Sequence, residues 1–379
     1  MKAKSIKGNS PEEIQNALNE SMADGFKPTL AFVFLSIKQD RDAIAALLDA
    51  SGIAIYGTTT NGEFIDEEFG QGAVAILLLE INTNHFSIFF EEYVDKNYRE
   101  VTQKIARQAL EKFAIPAFII SGSDVYTDAE LLLHGFEDII GKEVNVFGGM
   151  SGDDFTFTEQ FVFTNGKYSK RGLVVLALDE NKIIVKGRAT CGWKPVGTEK
   201  TVTRSEGNRI YTIDNIPALD MASKFSGITN ITQENAGLGL EMATSLPLLL
   251  QRENGEAVMR PGVLINWEDH SVTCSGTVPQ GSKVRFSLPP DFDVIEKVIQ
   301  EIEKLKETEM PVADAVIVFN CAGRFMTLGP LLHEEIEGVK KVWGVPMAGF
   351  FSFGELARAT HGNLEMHNMT TVCVALKEK

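Results

Sequence analysis

The sequence predicts an α/β protein of two domains, with mixed sheets built from β-α-β units. Continuous apolar runs of strand length recur at residues 30–35, 117–120 and 315–319, as expected for strands covered on both faces. Each run is followed by a helical segment and a second apolar strand that ends near glycine. The length of 379 residues exceeds one ordinary core and suits domains of about 100–200 residues each.

The first unit is preceded by a helix with a capping box. Ser10 caps this helix, Pro11 takes its first position and Glu13 reaches back to the cap. We expect the helix to run to Ala23 and to stop at Gly25. The elements that follow are strand 30–35, helix 40–50 and strand 53–56, which Gly57 closes.

The pattern then recurs twice. The second unit comprises strand 117–120, helix 127–140 and strand 144–147, which ends at Gly148-Gly149. The third comprises strand 315–319, helix 331–339 and strand 342–346, followed by Gly349. We predict internal repeats, with two copies in the first half and one in the second. The alternative is chance similarity, because a strand-end turn demands glycine in any α/β unit.

The segments between the units predict a mixed sheet and a domain boundary. Strands at 160–164, 172–178 and 182–190 form a meander, with a hairpin turn at Asn165-Gly166. Pro217 opens a helix, so we place the boundary there and predict domains 1–215 and 216–379. A later helix over 292–305 carries apolar residues at helical spacing, which is typical of scaffold.

Composition and charge exclude several classes of partner. The net charge of −16 repels polyanions, and the densest basic segment, 182–188, carries only three positive charges, so we expect no nucleic-acid partner. The longest apolar stretch, 73–79, is far shorter than the roughly 20 residues of a membrane helix, so we expect no membrane insertion. The N-terminal segment lacks the apolar region of a secretory signal. These observations predict a cytoplasmic location.

The cysteines predict reduced thiols rather than a disulfide framework or a metal site. Their spacing is wide and contains no CxxC pair. They are Cys191, Cys274, Cys321 and Cys373.

Five glycine-bearing motifs occur in a specific order and spacing. They are Gly57-Thr-Thr-Thr-Asn-Gly-Glu63, Gly148-Gly-Met-Ser-Gly-Asp-Asp154, Gly192-Trp-Lys-Pro-Val-Gly197, Asn320-Cys-Ala-Gly-Arg324, and Gly349-Phe-Phe-Ser-Phe-Gly-Glu355 with the later Asn368. Together they resemble the FIST family, whose name stands for F-box and intracellular signal transduction. The resemblance runs from about Thr29 to the end and covers the family's N- and C-terminal halves.

This resemblance implies a sensory module that binds small ligands, with amino acids the usual suggestion. It also implies coupling to kinases, cyclases or chemotaxis receptors. Since the sequence carries no F-box, kinase, cyclase or receptor segment, we expect a separate signalling protein to carry the output.

The glycine motifs predict a ligand site at the carboxyl ends of strands, where backbone N–H groups are exposed. Hydroxyls and N–H groups would hold the carboxylate of a zwitterion, and Glu63 or Glu355 would hold its ammonium. The alternative is that the hydroxyls cap turns and the glutamates face solvent. The residues of this prediction are Thr58, Thr59, Asn61, Glu63, Gly349, Ser352 and Glu355.

A second group of candidates follows Gly149. Ser151, Asp153 and Asp154 could hold a ligand amine, whereas a single carboxylate pair without further acidic ligands is a poor metal site. Capping of a helix or turn is the favoured alternative.

A third group of candidates comprises Asn320, Cys321, Arg324 and, later in the chain, Asn368. Arg324 could fork onto the carboxylate of a ligand or onto a structural glutamate such as Glu355. Cys321 follows a strand and precedes Arg324, surroundings that lower a thiol pKa. A thiol-dependent hydrolase is therefore one alternative function, although no histidine or acid is placed by a recognisable motif to activate Cys321. A lining or buried thiol in a protein that is not an enzyme is the favoured interpretation.

Two further expectations concern Trp193 and haem. Trp193 in its turn with Pro195 is expected to pack between the domains. Some bacterial members of the family look like haem-based nitric oxide sensors, and this analogy makes haem the one cofactor to consider. On composition alone the axial candidates are His85, His134, His270, His333, His361 and His367.

Overall fold

The computed structural model describes residues 1–124, 127–229, 231–235, 237, 246–252, 256–288, 291–359 and 362–379. In these ranges the chain forms three repeats of β-α-β units and one inserted β-region. The predicted α/β class with mixed sheets is confirmed. None of the helices within these ranges combines the length and apolar character needed to cross a membrane.

The first repeat contains two helices and ends in a hairpin and a strand. At its start Ser10 Oγ accepts from the Glu13 N–H at 3.2 Å, which confirms the cap, and Glu13 reaches the N–H of Asn9 at 2.8 Å. Its elements are β1 Lys2–Gly8, α1 Pro11–Met22, β2 Leu30–Ser36, α2 Arg41–Ala50, β3 Ala54–Thr60, β4 Glu63–Ile65, β5 Glu68–Gly70 and β6 Val74–Glu80.

The second repeat has the same order of elements. A longer loop separates its last parallel strand from its hairpin, which turns at Gly166 with φ 65°, as the Asn-Gly pair predicts. Its elements are β7 Phe86–Glu92, α3 Tyr98–Leu110, β8 Pro116–Gly122, α4 Ala129–Ile140, β9 Val146–Gly149, β10 Val162–Thr164, β11 Lys167–Ser169 and β12 Gly172–Asp179.

The third repeat begins with β13 Ile183–Thr190 and is then interrupted. The described residues within 195–287, here called the inserted β-region, form a separate sheet in the order β18-β17-β21-β14-β15-β20-β19, with β16 beside β15. Its elements are β14 Pro195–Glu206, β15 Arg209–Ile213, β16 Ile216–Pro217, α5 Ala218–Ser226, β17 Leu248–Leu250, β18 Val258–Arg260, β19 Gly262–Ile265, β20 Val272–Cys274 and β21 Lys283–Ser287.

The third repeat resumes after this region and completes the same order, with a short extra helix after its first parallel strand. Its remaining elements are α6 Phe292–Thr308, β22 Ala315–Cys321, α7 Ala322–Leu328, α8 Leu331–Trp343, β23 Met347–Ser352, β24 Glu355–Arg358, β25 Leu364–His367 and β26 Thr371–Glu378.

The three repeats build three six-stranded sheets with one common strand order. The orders are β1-β6-β2-β3-β10-β11, β7-β12-β8-β9-β24-β25 and β13-β26-β22-β23-β4-β5. In each sheet the two central strands are parallel and the other pairs are antiparallel. This shared order confirms the predicted internal repeats.

The hairpins are exchanged between repeats in a cycle. Hairpin β4–β5 of the first repeat completes the sheet of the third, β10–β11 of the second completes that of the first, and β24–β25 of the third completes that of the second. Each repeat therefore depends on both of the others for a complete set of sheets. Strands from both sides of the predicted boundary share sheets, and the division into 1–215 and 216–379 stays a prediction.

The three sheets pack against one shared apolar core, and the helices cover their outer faces. Phe34, Phe147 and Phe319 bring one ring from each sheet into that core, and the Phe34 and Phe350 rings lie 4.9 Å apart. Separate clusters lie under the helices of each repeat, and another fills the inserted β-region. Because both faces of the sheets are covered at their centres, the central strands β2, β8 and β22 are buried along their whole length.

Three predicted strand boundaries are wrong, and the strand predicted at 342–346 is found at Met347–Ser352, as β23. Gly57 and Gly349 lie inside β3 and β23 rather than at their ends. A Cβ on Gly57 would lie 2.3 Å from the Phe163 ring, so close packing rather than a turn requires glycine there. Residues 342–343 were predicted as strand but belong to α8, which ends at Gly344 with φ 68°.

Gly349→Ala tests the close packing of the strands. A Cβ at Gly349 would lie 2.3 Å from the Val318 carbonyl oxygen and 2.4 Å from the Phe64 ring, so the backbone must shift. We expect a loss of about 1–3 kcal/mol or more in unfolding free energy, measured by chemical denaturation. Gly70→Ala is the matched control, because nothing lies within 4 Å of its added Cβ. Equal stabilities of the two variants would contradict this account.

Candidate functional site

The structure brings four of the motif segments together at one junction. They are residues 57–63, 148–154, 320–324 and 349–355. Asn61 N–H donates to the Phe351 carbonyl at 3.0 Å, and Met150 N–H donates to the Gly354 carbonyl at 2.8 Å. The parallel pairing of β22 with β23 places Cys321 opposite Ser352, in segment 349–355. The hairpin exchange causes this convergence, because segments 57–63, 148–154 and 349–355 each connect a strand of one sheet to a hairpin of another.

The three motifs that begin at Gly57, Gly148 and Gly349 occupy equivalent positions in the repeats. Counting from the glycine that pairs with the neighbouring parallel strand, each motif has a hydroxyl at the fourth position and an acid at the seventh. The pairs are Thr60 with Glu63, Ser151 with Asp154, and Ser352 with Glu355. The hydroxyl-x-x-acid spacing is thus the signal that identifies Thr60, which the sequence analysis missed.

Glu63 and Glu355 each accept a hydrogen bond from the hydroxyl three residues earlier, in the first and third repeats. Glu63 accepts from Thr60 Oγ1 at 2.7 Å and from the backbone N–H of Ala73. Glu355 accepts from Ser352 Oγ at 2.6 Å and from Thr370 Oγ1 at 2.8 Å. Both glutamates are buried rather than facing solvent, and burial raises the pKa of Glu63 to about 7 and that of Glu355 to about 8.

The second repeat departs from this pattern. Ser151 Oγ lies 2.7 Å from Thr58 Oγ1, and Asp154 accepts from Ser36 Oγ at 2.6 Å. The loop beyond has positive φ at Asp154, Phe155 and Phe157, at 55°, 61° and 53°. Such values are uncommon for bulky side chains and mark a strained segment.

Asn61 holds this loop against the first repeat. Its Oδ1 accepts from the N–H groups of Asp153 and Phe155, both at 3.1 Å. Thr59 Oγ1 also donates to the Gly152 carbonyl at 2.7 Å. Among the described residues, Asn61 Nδ2 and the Oδ1 atoms of Asp153 and Asp154 are buried without a hydrogen-bond partner.

Arg324 lies in a second buried cluster, and its carboxylate partner is Glu335. The guanidinium of Arg324 donates to both carboxylate oxygens of Glu335, to the Cys191 carbonyl at 2.8 Å and to the Met369 carbonyl at 3.1 Å. The suggestion of Glu355 as the structural partner is therefore wrong. Glu355 lies close enough to Cys321 to raise the pKa of that thiol.

Helix α8 explains why Glu335 takes this role. Glu335 lies on the buried face of α8 with Leu332 and Ile336, and it also accepts from Asn320 Nδ2 at 2.8 Å and Thr371 Oγ1 at 2.6 Å. A charged residue on an apolar helix face is the sequence signal that could have identified it.

Three buried polar atoms, on residues that contact Arg324 or adjoin its partners, have no hydrogen-bond partner in the part of the chain that the structure describes. They are Trp193 Nε1, Asn320 Oδ1 and Asn368 Oδ1. The Trp193 ring lies 5.0 Å from Cζ of Arg324. Asn320 donates to Glu335, which is also the partner of Arg324. Asn368 precedes Met369, whose carbonyl accepts a hydrogen bond from Arg324. Trp193 also packs in the apolar cluster of the third repeat.

The expected lowering of the Cys321 pKa is wrong. The thiol is buried, and desolvation raises its pKa well above the ordinary value, with the nearby Glu355 adding to the rise. The Gly323 N–H approaches Sγ at 3.4 Å but does not outweigh this cost. At neutral pH the side chain is a thiol and a weak nucleophile.

The described histidines do not fit a haem site. His367 is buried with Nε2 3.0 Å from the Ala357 carbonyl, and burial lowers its pKa to about 4. The others are half-buried or exposed, and His361 lies outside the described residues. Cavities of about 230 and 220 Å³ have no histidine among their described lining residues. We therefore derive no step through haem.

Two family models match the chain. The model described as the FIST N domain matches residues 29–216, and that of the FIST C domain matches residues 228–358. The chain belongs to the FIST family. FIST domains are associated with sensing in signal transduction.

Two comparisons with individual proteins are more distant. The chain is 21% identical over 343 residues to "Uncharacterized protein MJ1623" of Methanocaldococcus jannaschii, covering 82% of this chain and spanning 63% of that relative's length. It is also similar to the solved structure "T. maritima PurL complexed with FGAR", at 10% identity and a TM-score of 0.22, covering 99% of this chain and 72% of the other. A TM-score this low carries no argument.

Breaking the buried Arg324–Glu335 ion pair should lower the unfolding free energy far more than breaking an exposed ion pair. Glu335→Gln leaves a buried guanidinium without its charge partner, so we expect a loss of about 3–5 kcal/mol in unfolding free energy. Asp138→Asn breaks the exposed pair with Arg99 and should leave stability nearly unchanged. Urea denaturation measures both variants, and similar losses would contradict a structural role for the buried pair.

The raised pKa of Glu355 predicts a pH-dependent stability. The folded chain keeps this proton up to about pH 8, whereas the unfolded chain releases it near the ordinary value of 4.5. Between these values the folded state binds more protons, so this group's stabilisation is lost as pH rises. Glu355→Gln should therefore gain stability relative to the unmodified protein from pH 4.5 to 8.

Thermal denaturation across that pH range measures the effect. Glu12→Gln, on the exposed face of α1, is the control and should run parallel to the unmodified protein. A Glu355→Gln curve that also runs parallel would show that the carboxyl titrates normally.

Proposed function

We propose that this FIST protein is a cytoplasmic sensory protein that binds a small polar molecule, such as an amino acid, in the cluster around Arg324. The observation that carries the proposal is the set of three unpartnered buried atoms on Trp193, Asn320 and Asn368. An unpartnered buried polar group is costly, and a bound ligand that supplies the missing hydrogen bonds removes that cost. The family's association with sensing supports the same function.

The chemistry of these atoms favours a zwitterion. The two Oδ1 atoms of Asn320 and Asn368 accept hydrogen bonds, which suits an ammonium group, and Trp193 Nε1 donates one, which suits a carboxylate. Arg324 and Glu335 balance each other in charge. A ligand without net charge therefore enters at the least electrostatic cost.

Access to this cluster requires local opening, because Trp193 and Asn368 are almost fully buried. Such an opening couples ligand binding to a change in the packing of the third repeat, which is what a sensor needs. We propose that a separate kinase, cyclase or chemoreceptor reads this change, without turnover of the ligand. The ligand-binding roles of the residues at the other motifs stay predictions.

Asn368→Leu tests the proposed site. Because Asn368 Oδ1 has no partner among the described residues, its loss should leave the unfolding free energy unchanged or raised. Ligand affinity should fall by about tenfold, the equivalent of about 1.4 kcal/mol for one hydrogen bond. Isothermal titration calorimetry with the twenty common amino acids measures this, and native mass spectrometry of the purified protein identifies any retained molecule.

Ser275→Ala is the matched control. Ser275 Oγ is likewise unpartnered within the described chain but lies in the inserted β-region. It should leave affinity unchanged. The proposal fails if Asn368→Leu binds as well as the unmodified protein, or if neither measurement detects a bound small molecule.

A further inference from the structure

The inserted β-region contains a cavity that the proposed function does not use. The cavity has a volume of about 230 Å³ and lies between helix α5 and the sheet strands. Leu219 and Ala222 line it from α5, and Leu248, Val272 and Phe286 line it from the strands. Its described lining residues lie within 210–286, outside the three repeats, and none of them belongs to the Arg324 cluster.

The lining of this cavity is apolar. No charged side chain is among the described residues that line it, and the polar side chains among them are Cys274 and Trp267. Burial raises the pKa of Cys274 to about 12, so this group is a neutral thiol. An ionic ligand would lose its hydration without a compensating charge, whereas an uncharged apolar ligand would lose little.

The size of the cavity sets the size of its ligand. An apolar cavity of about 150 Å³ in another protein binds benzene, which by proportion gives about nine heavy atoms here. Its rim is also apolar and open to solvent, since Val263 and Leu264 are 45% and 61% exposed.

We propose that the inserted β-region binds an uncharged apolar molecule of about one bicyclic ring in this cavity. The site differs from the proposed polar site in both location and ligand class. The two can therefore fail or succeed separately.

Leu248 gives the site a structural connection to the repeats. It pairs across β17–β18 with Arg260, whose buried guanidinium bonds Glu130 Oε1 in α4 at 2.7 Å and the Met366 carbonyl at 3.1 Å. A ligand beside Leu248 therefore lies one strand away from the contact between the inserted β-region and the second repeat.

The test uses indole, p-xylene and 1-octanol as apolar probes and L-tryptophan as the charged counterpart of indole. Calorimetry on the full chain should show saturable binding of at least one apolar probe. Ala222→Phe, which fills the cavity, should weaken that binding at least tenfold. L-Tryptophan should show no binding that Ala222→Phe weakens.

Ala17→Phe, at a partly buried alanine of α1, is the control for added bulk and should bind the probe like the unmodified protein. Ala222→Leu fills the cavity less and replaces the phenylalanine variant if that variant does not fold. The proposal is overturned if none of the three probes binds, or if a bound probe is insensitive to filling at Ala222. Asn368→Leu should leave the probe affinity unchanged, which separates this result from the test of the polar site.

Discussion

The exchange of hairpins among the three repeats is the constraint on which the rest of the structure depends. A six-stranded sheet that lacks its outer hairpin exposes unpaired backbone groups, and each repeat supplies that hairpin to a neighbour. The exchange forces three connecting loops through one buried junction. Because backbone and polar side chains must be hydrogen-bonded where water is excluded, the motif residues are rich in hydroxyls, amides and carboxylates.

The repeats also separate general from particular roles at this junction. Glu63 and Glu355 share the bond from the hydroxyl three residues earlier, a pattern that a common structural requirement explains. The particular features lie where the repeats differ, in the strained loop after Asp153 and in the cluster of Arg324 and Glu335. Unpartnered polar atoms of the described chain occur in both of these places.

Local patterns in the sequence were sufficient to predict much of the fold. The three β-α-β units follow from their apolar runs, and each unit places its own glycine motif after a parallel strand. The hairpin exchange could not be predicted, because β4 and β23 are far apart in sequence and no local pattern records their pairing. The same limit applies to the pairing of Glu335 with Arg324, which depends on which helix face meets β22, and to Cys321, whose pKa depends on burial.

The exchanged hairpins have a consequence for synthesis on the ribosome. Hairpin β4–β5 emerges early, yet its partner strand β23 is made near the end of the chain. The nascent polypeptide therefore carries an unmatched hairpin through most of translation, and the third sheet closes only after release of its final strands. This topology delays folding from the N-terminus during synthesis, and chaperones are expected to bind the unpaired hairpin during elongation.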